Sequence, residues 1–164
     1  MRSPLILAAL MAMALAAMTS AGPTLAMGSG SDQPEATKSG PPTDYSRAKA
    51  MIEVKNYKDA LPLLQQVVAK EPKNADAYNL LGYATRKSGD PNGSLQFYTT
   101  ALQIDPKHLG ANEYLGEAYL MLGKLPQAEQ QLARLDQLCM FGCVEYRTLK
   151  AAIADYKAGK KPTN

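Results

Sequence analysis

Residues 75–108 read ADAYNLLGYATRKSGDPNGSLQFYTTALQIDPKH, and residues 109–142 read LGANEYLGEAYLMLGKLPQAEQQLARLDQLCMFG. At a shift of 34 positions, Leu81-Gly82 falls on Leu115-Gly116, Gly89 on Gly123, Ser94 on Ala128 and Tyr98 on Leu132. The same shift upstream brings in Ala60, Leu64 and Val67, and sets Pro72 against Pro106. A fixed period of this length is the mark of stacked helix-turn-helix units, none of which buries its apolar face alone. Three units are framed in this way: about 41–74, 75–108 and 109–142.

Within each unit the punctuation is legible. Gly89 suits a left-handed helix stop, Asp90 an N-cap, and Pro91 the first helical position, where its missing N–H costs nothing. Gly123 and Pro126 repeat the arrangement, and Asn56 stands near the corresponding turn of the first unit. Pro72 and Pro106 end the second helices, whereas Pro62 falls inside one and is expected to be tolerated in its first turn. Gly82 and Gly116 lie mid-helix, where glycine costs on the order of 1 kcal/mol against alanine. The expected reason is close approach of small Ser94 and Ala128 on the partner helices, with Leu81, Tyr98, Leu115 and Leu132 filling the sides.

These positions resemble the tetratricopeptide repeat. Tyr78, Leu81, Gly82, Ser94, Tyr98, Ala101 and Pro106 match its pattern in the second unit. Leu115, Gly116, Tyr119, Ala128 and Leu132 match in the third, with Asn112 at the large aromatic position. The first unit keeps Ala60, Leu64 and Pro72 but has Asp44 and Ala48 where an aromatic and a glycine belong. The resemblance spans about 41–156. It implies an all-α, right-handed superhelix of three helix pairs whose first helices line a concave groove for a peptide or partner protein. Past the array, Tyr146, Leu149, Ile153 and Tyr156 recur at helical spacing, which predicts an amphipathic capping helix over about 143–157. A frayed tail, 158–164, is expected beyond it. The layout is also similar to small exported bacterial repeat proteins that end in a cysteine pair and a capping helix.

The family's groove positions fall on Tyr45, Lys49 and Ile52, then Asp76, Asn79, Tyr83 and Arg86, then Glu113, Glu117 and Leu120. Asn79, Tyr83 and Arg86 share one helix face, and tyrosine and arginine are frequent binding anchors. The set used by chaperone-binding members to clamp a terminal carboxylate is missing: its positions hold Tyr45, Lys49, Leu80, Gly110 and Tyr114. With Lys49 and Arg86 set against Glu113 and Glu117, the groove suits a folded partner or a peptide of mixed charge.

Cys139 and Cys143 are the only cysteines. In an oxidising compartment they are expected to form a structural disulfide that closes the turn at Gly142, and a loop so short stabilises by at most about 2 kcal/mol. Two other readings stay open: a redox-active dithiol, and a Cu(I) site built with Met140. His108, the single histidine, reads as an ordinary surface or helix-start residue. No nucleophile with a base, no phosphate loop and no framed carboxylate pair is present, so neither catalysis nor a cofactor is expected.

Ahead of the repeats, Arg2 precedes a 14-residue apolar run at 5–18 and a small-residue stretch ending Thr24-Leu25-Ala26. This is the order of a cleaved signal peptide, with cleavage expected after Ala26, or alternatively after Ala21, and a periplasmic destination. The run is shorter than the roughly 20 residues that span a bilayer, so no stable membrane insertion is expected after cleavage. Residues 27–43 are nearly free of apolar side chains and read as a disordered linker. A net charge of +3, with acids and bases alternating along the chain, argues against nucleic acid. Self-association through the open side of the first unit is a further expectation.

Overall fold

The structure is a computed structural model and describes residues 42–162. The expected signal peptide, residues 1–26, and all of the linker except Pro42 and Thr43 lie outside the described residues.

Seven helices follow one another: α1 (Asp44–Glu53), α2 (Tyr57–Lys70), α3 (Ala75–Lys87), α4 (Pro91–Ile104), α5 (Leu109–Met121), α6 (Leu125–Leu138) and α7 (Val144–Lys157). They form three antiparallel pairs and a capping helix in an all-α, right-handed superhelix. Each helix packs on the next, and α5 also packs on α7. No helix among the described residues is long and apolar enough to cross a membrane.

Four of the seven helix starts among the described residues are fixed by side-chain caps. Thr43, Asn74, Asp90 and His108 each accept a hydrogen bond from a backbone N–H three residues on, satisfying a donor that the first turn leaves unpaired. The turn inside each pair needs one left-handed residue. Gly89 (φ 102°) and Gly123 (φ 72°) supply it at no steric cost, and the first unit uses Lys55 (φ 61°) at the same repeat position. Pro62 sits in the second turn of α2, not the first as expected. The helix runs on through it without an N–H for the Lys58 carbonyl.

Three apolar clusters run along the stack: Ala48, Ala60, Leu64, Leu81 and Ala84; then Tyr98, Leu115 and Ala118; then Leu120, Ala128, Leu135, Leu149 and Ile153. Full burial of each leucine or isoleucine stabilises by roughly 1.5–3 kcal/mol. The last cluster takes Leu149 and Ile153 from α7, so the capping helix closes the end of the stack as its amphipathic pattern requires.

The mid-helix glycines differ from expectation in what they face. A Cβ on Gly82 would lie 2.7 Å from the Tyr98 ring, and one on Gly116 would lie 2.5 Å from Leu149 on the capping helix. The groups nearest the missing side chains are an aromatic ring and a leucine of the capping helix, rather than the small residues expected. Asn112, standing where the pattern has an aromatic, is buried and donates its amide N–H to the His108 carbonyl at 2.9 Å.

The last described residues turn back on the stack. Gly159 has φ 79°, the Lys160 N–H bonds the Asp155 carbonyl at 3.0 Å, and Lys160 Nζ lies 2.7 Å from Asp155 Oδ1. Lys160, Lys161 and Pro162, expected as part of a frayed tail, line a pocket of about 300 Å³ with Glu117, Leu120 and Tyr156.

Candidate functional site

Arg86, in the last turn of α3, is the centre of the expected groove, and it is 1% exposed. Its guanidinium Cζ lies 5.5 Å from the Tyr83 ring centroid and 5.6 Å from that of Tyr114. Its Nε donates to the Tyr98 hydroxyl at 3.4 Å, and its Nη1 approaches Met121 Sδ at 3.8 Å. Its Nη2 stands 2.7 Å from Glu117 Oε2, an ion pair whose N–H does not point along the line between the two atoms. One side chain therefore joins α3, α4 and α5. Burial opposes the charge, yet Tyr98 and Glu117 together hold the Arg86 pKa above its ordinary value.

Of the expected groove face of Asn79, Tyr83 and Arg86, only Tyr83 keeps a half-exposed surface, and the other two need correction. Arg86 is an internal post, because its planar cation is best satisfied between two rings and a carboxylate. Asn79 is 7% exposed, and its Oδ1 has no hydrogen-bond partner. Glu113 is 8% exposed, not a free groove charge. Burial first, then repulsion from Glu117 and Glu145, pushes its pKa up to about 7. Of the expected set, Tyr45, Tyr83 and Glu117 are half-buried, and Lys49 is exposed.

What the site offers outward is aromatic. Tyr57, Tyr83 and Tyr114 form a ladder, with centroids 5.9 Å and 4.9 Å apart, and Tyr98 lies 6.2 Å beyond Tyr114. Burial pushes the Tyr114 pKa up to about 12 and raises those of Tyr83 and Tyr45, so the rings stay neutral across the physiological range. Sequence reasoning passed over Tyr57 and Met121, and gave Tyr98 and Tyr114 no part in the site. The signal that finds them is the register between neighbouring units. Glu117 stands one repeat less three residues beyond Arg86, the offset that brings the two first helices face to face.

Cys139 ends α6 and Cys143 starts α7, with Cα atoms 5.5 Å apart and sulfurs at bonding distance, 2.15 Å. Between them Met140 is 85% and Phe141 97% exposed. Arg147 Nη1 donates to the Gly142 carbonyl at 3.1 Å. Among the described residues, no three His, Cys, Asp or Glu side chains converge as metal ligands would. His108 Nδ1 accepts from the Ala111 N–H at 3.1 Å, which puts the ring proton on Nε2, 3.0 Å from Asp76 Oδ1.

Two family models described as tetratricopeptide repeat match, over residues 45–108 and 85–153, together more than half of the chain. An uncharacterized protein, ycf37, of Pyropia yezoensis is 34% identical over 86 residues, 50% of this chain and 46% of that protein. MamA of Desulfovibrio magneticus RS-1 is similar in structure, with TM-score 0.56 and 27% identity, covering 58% of this chain and 54% of MamA. The chain thus spans about half the length of each of these two proteins. The Yersinia enterocolitica type III secretion chaperone SycD, solved with a peptide of the translocator YopD, shares the fold. Its TM-score is 0.61 at 20% identity, covering 71% of this chain and 88% of SycD. The two matched repeat regions and the helix pairs that carry them place this chain among the tetratricopeptide-repeat proteins.

Proposed function

We propose that this chain is a non-catalytic interaction module of the exported compartment, holding an extended segment of a partner protein across the tyrosine face of α3 and α5. The observation that carries the reading is the sealed Arg86 post, 1% exposed beneath Tyr83 and Tyr114. It holds two aromatic rings in a fixed mutual tilt at little cost in side-chain freedom, as a preorganised binding face requires. Peptide capture by the structurally similar SycD is the parallel in the same fold. The Cys139–Cys143 pair, with its sulfurs at 2.15 Å, supports a structural disulfide at the entry to the capping helix. A closed bond leaves no thiolate for copper or thiol exchange.

The test is site-specific photocrosslinking in the source cells. A benzophenone side chain is placed at Tyr83, at Lys49, and at Ala133 as a control on exposed α6. One discrete adduct from positions 83 and 49 and none from 133 supports the groove. Equal adducts from all three positions, or none from 83, overturn it. Fractionation of the tagged full chain reads the exported location, and retention in the cytoplasm with the first 26 residues intact contradicts it.

A further inference from the structure

Beside the tyrosine face, the turn between α1 and α2 meets the end of α3. Lys55, Asn56, Tyr57, Lys58, Lys87 and Ser88 line a pocket of about 270 Å³ there. Three lysines converge on it. Neither Lys55 nor Lys58 makes an ion pair among the described residues; Asp59, the acid of that first turn, instead accepts from the Asn56 amide at 2.8 Å. Lys87 Nζ lies 5.6 Å from the Tyr83 ring centroid, so pocket and tyrosine ladder share a wall. Burial first, then Arg86 and to a lesser extent Lys55, lower the pKa of Lys87 against the opposing pull of Glu117. The Ser88 hydroxyl is buried in the wall without a hydrogen-bond partner. Asn56, the N-cap residue of α2, makes no cap bond with its side chain.

The ammonium groups of Lys55 and Lys58, outside any ion pair among the described residues, the unused Ser88 hydroxyl and a cavity of side-chain size suit a small anion held at its oxygens. The adjoining Tyr57 and Tyr83 rings call for apolar groups next to that anion. We propose that the pocket receives the carboxylate of an acidic residue in the partner segment, whose apolar neighbours lie on Tyr57, Tyr83 and Tyr114. This rests on the groove reading above and adds to it the chemistry and the polarity of the bound segment. Its acidic end lies at the turn between α1 and α2, and the exposed Asp155 lies toward the capping helix.

The test uses the full mature chain and two fluorescent octapeptides. One is proline-rich with leucines in its body and two aspartates at one end; the other has asparagines in place of the aspartates. Inorganic phosphate is titrated separately as a competitor. The expected result is that the asparagine peptide binds about tenfold more weakly, and that a Lys55→Glu, Lys58→Glu double variant of unchanged helicity loses about tenfold for the aspartate peptide alone. Lys107→Glu, remote on an exposed loop, leaves binding unchanged. Equal binding of both peptides, lost on Tyr83→Ala, overturns the carboxylate pocket while leaving the groove standing. Failure of both peptides overturns the assignment of an acidic–apolar segment, and the crosslinks from position 83 then decide the groove by themselves. Phosphate displacing the peptide at an affinity as high as the peptide's own assigns the pocket to a free anion and overturns the proposal.

Discussion

Arg86 Nη2 lies 2.7 Å from Glu117 Oε2, with the arginine side chain 1% exposed and the glutamate 24%. The two partners of this ion pair are unequal, and the inequality predicts an unequal response to mutation. Removing the carboxylate strands a buried cation, whereas removing the cation leaves a carboxylate that water reaches. Glu117→Leu should cost about 3 kcal/mol, and Arg86→Met only about 1–2 kcal/mol because Met refills the space beside the rings. The double variant should recover most of the loss. Urea unfolding of the three variants checks the order, and Arg86→Met being the worse single change would contradict it.

Burial and the neighbouring Glu117 and Glu145 push the Glu113 carboxyl up to about 7. A carboxyl whose folded pKa lies above its unfolded value binds more protons in the native state between the two. Stability therefore falls as pH rises from about 4.5 to about 7, and stays lower above that. Glu113→Gln should remove the dependence, gaining on the order of 2 kcal/mol over the parent at pH 8 and nothing at pH 4. Thermal melts of both proteins at the two pH values give the comparison. Parallel curves would mean that Glu113 does not titrate in this window.

His108 caps α5 through Nδ1 in the place where Asn74 caps α3 one repeat earlier. His108→Ala should cost about 1 kcal/mol for the lost cap. His108→Asn should restore that loss while giving up the contact with Asp76. A denaturation series in which alanine and asparagine behave alike would show that the ring acts through Asp76 and not through the helix start.

Lys55 adopts the left-handed conformation that Gly89 and Gly123 hold at the same repeat position. A side chain there costs about 1 kcal/mol or more that glycine avoids. Lys55→Gly should raise the unfolding midpoint, and Gly89→Ala should lower it by a comparable free energy. If Lys55→Gly destabilises, the lysine stem contributes packing that outweighs its backbone strain.

The architecture was legible because its signals are local and repeated. Gly89, Asp90 and Pro91 name a turn on their own, and a 34-residue shift carries that reading to Gly123. The interior of the site was not legible, because polarity alone sends an arginine to the surface. Arg86 goes inward since two rings, a hydroxyl and a carboxylate from three helices are waiting for it, and no single repeat contains that set. Gly82 misled for a related reason. Spacing selects Ser94 as its neighbour, but the size of the gap is set by where the Tyr98 ring lies.

The two mid-helix glycines should respond differently to alanine, although they occupy the same repeat position. At Gly82 the added methyl meets Tyr98 Cε1 at 2.7 Å and Cδ1 at 2.8 Å. That ring is fully buried, and its hydroxyl accepts from Arg86 Nε, so it has nowhere to go. Gly82→Ala should cost about 2–3 kcal/mol by overpacking, even after the gain of roughly 1 kcal/mol in helix propensity. At Gly116 the methyl meets the two terminal carbons of Leu149, on a capping helix held by α5 and α6 alone. A small displacement of α7 relieves that clash, so Gly116→Ala should cost less. Adding Leu149→Val should then lose less than the sum of the two single changes, since the shorter side chain clears the methyl. Strict additivity of that pair, or a Gly82→Ala chain as stable as the parent, would mean that the glycines are retained for some reason other than the groups packed against them.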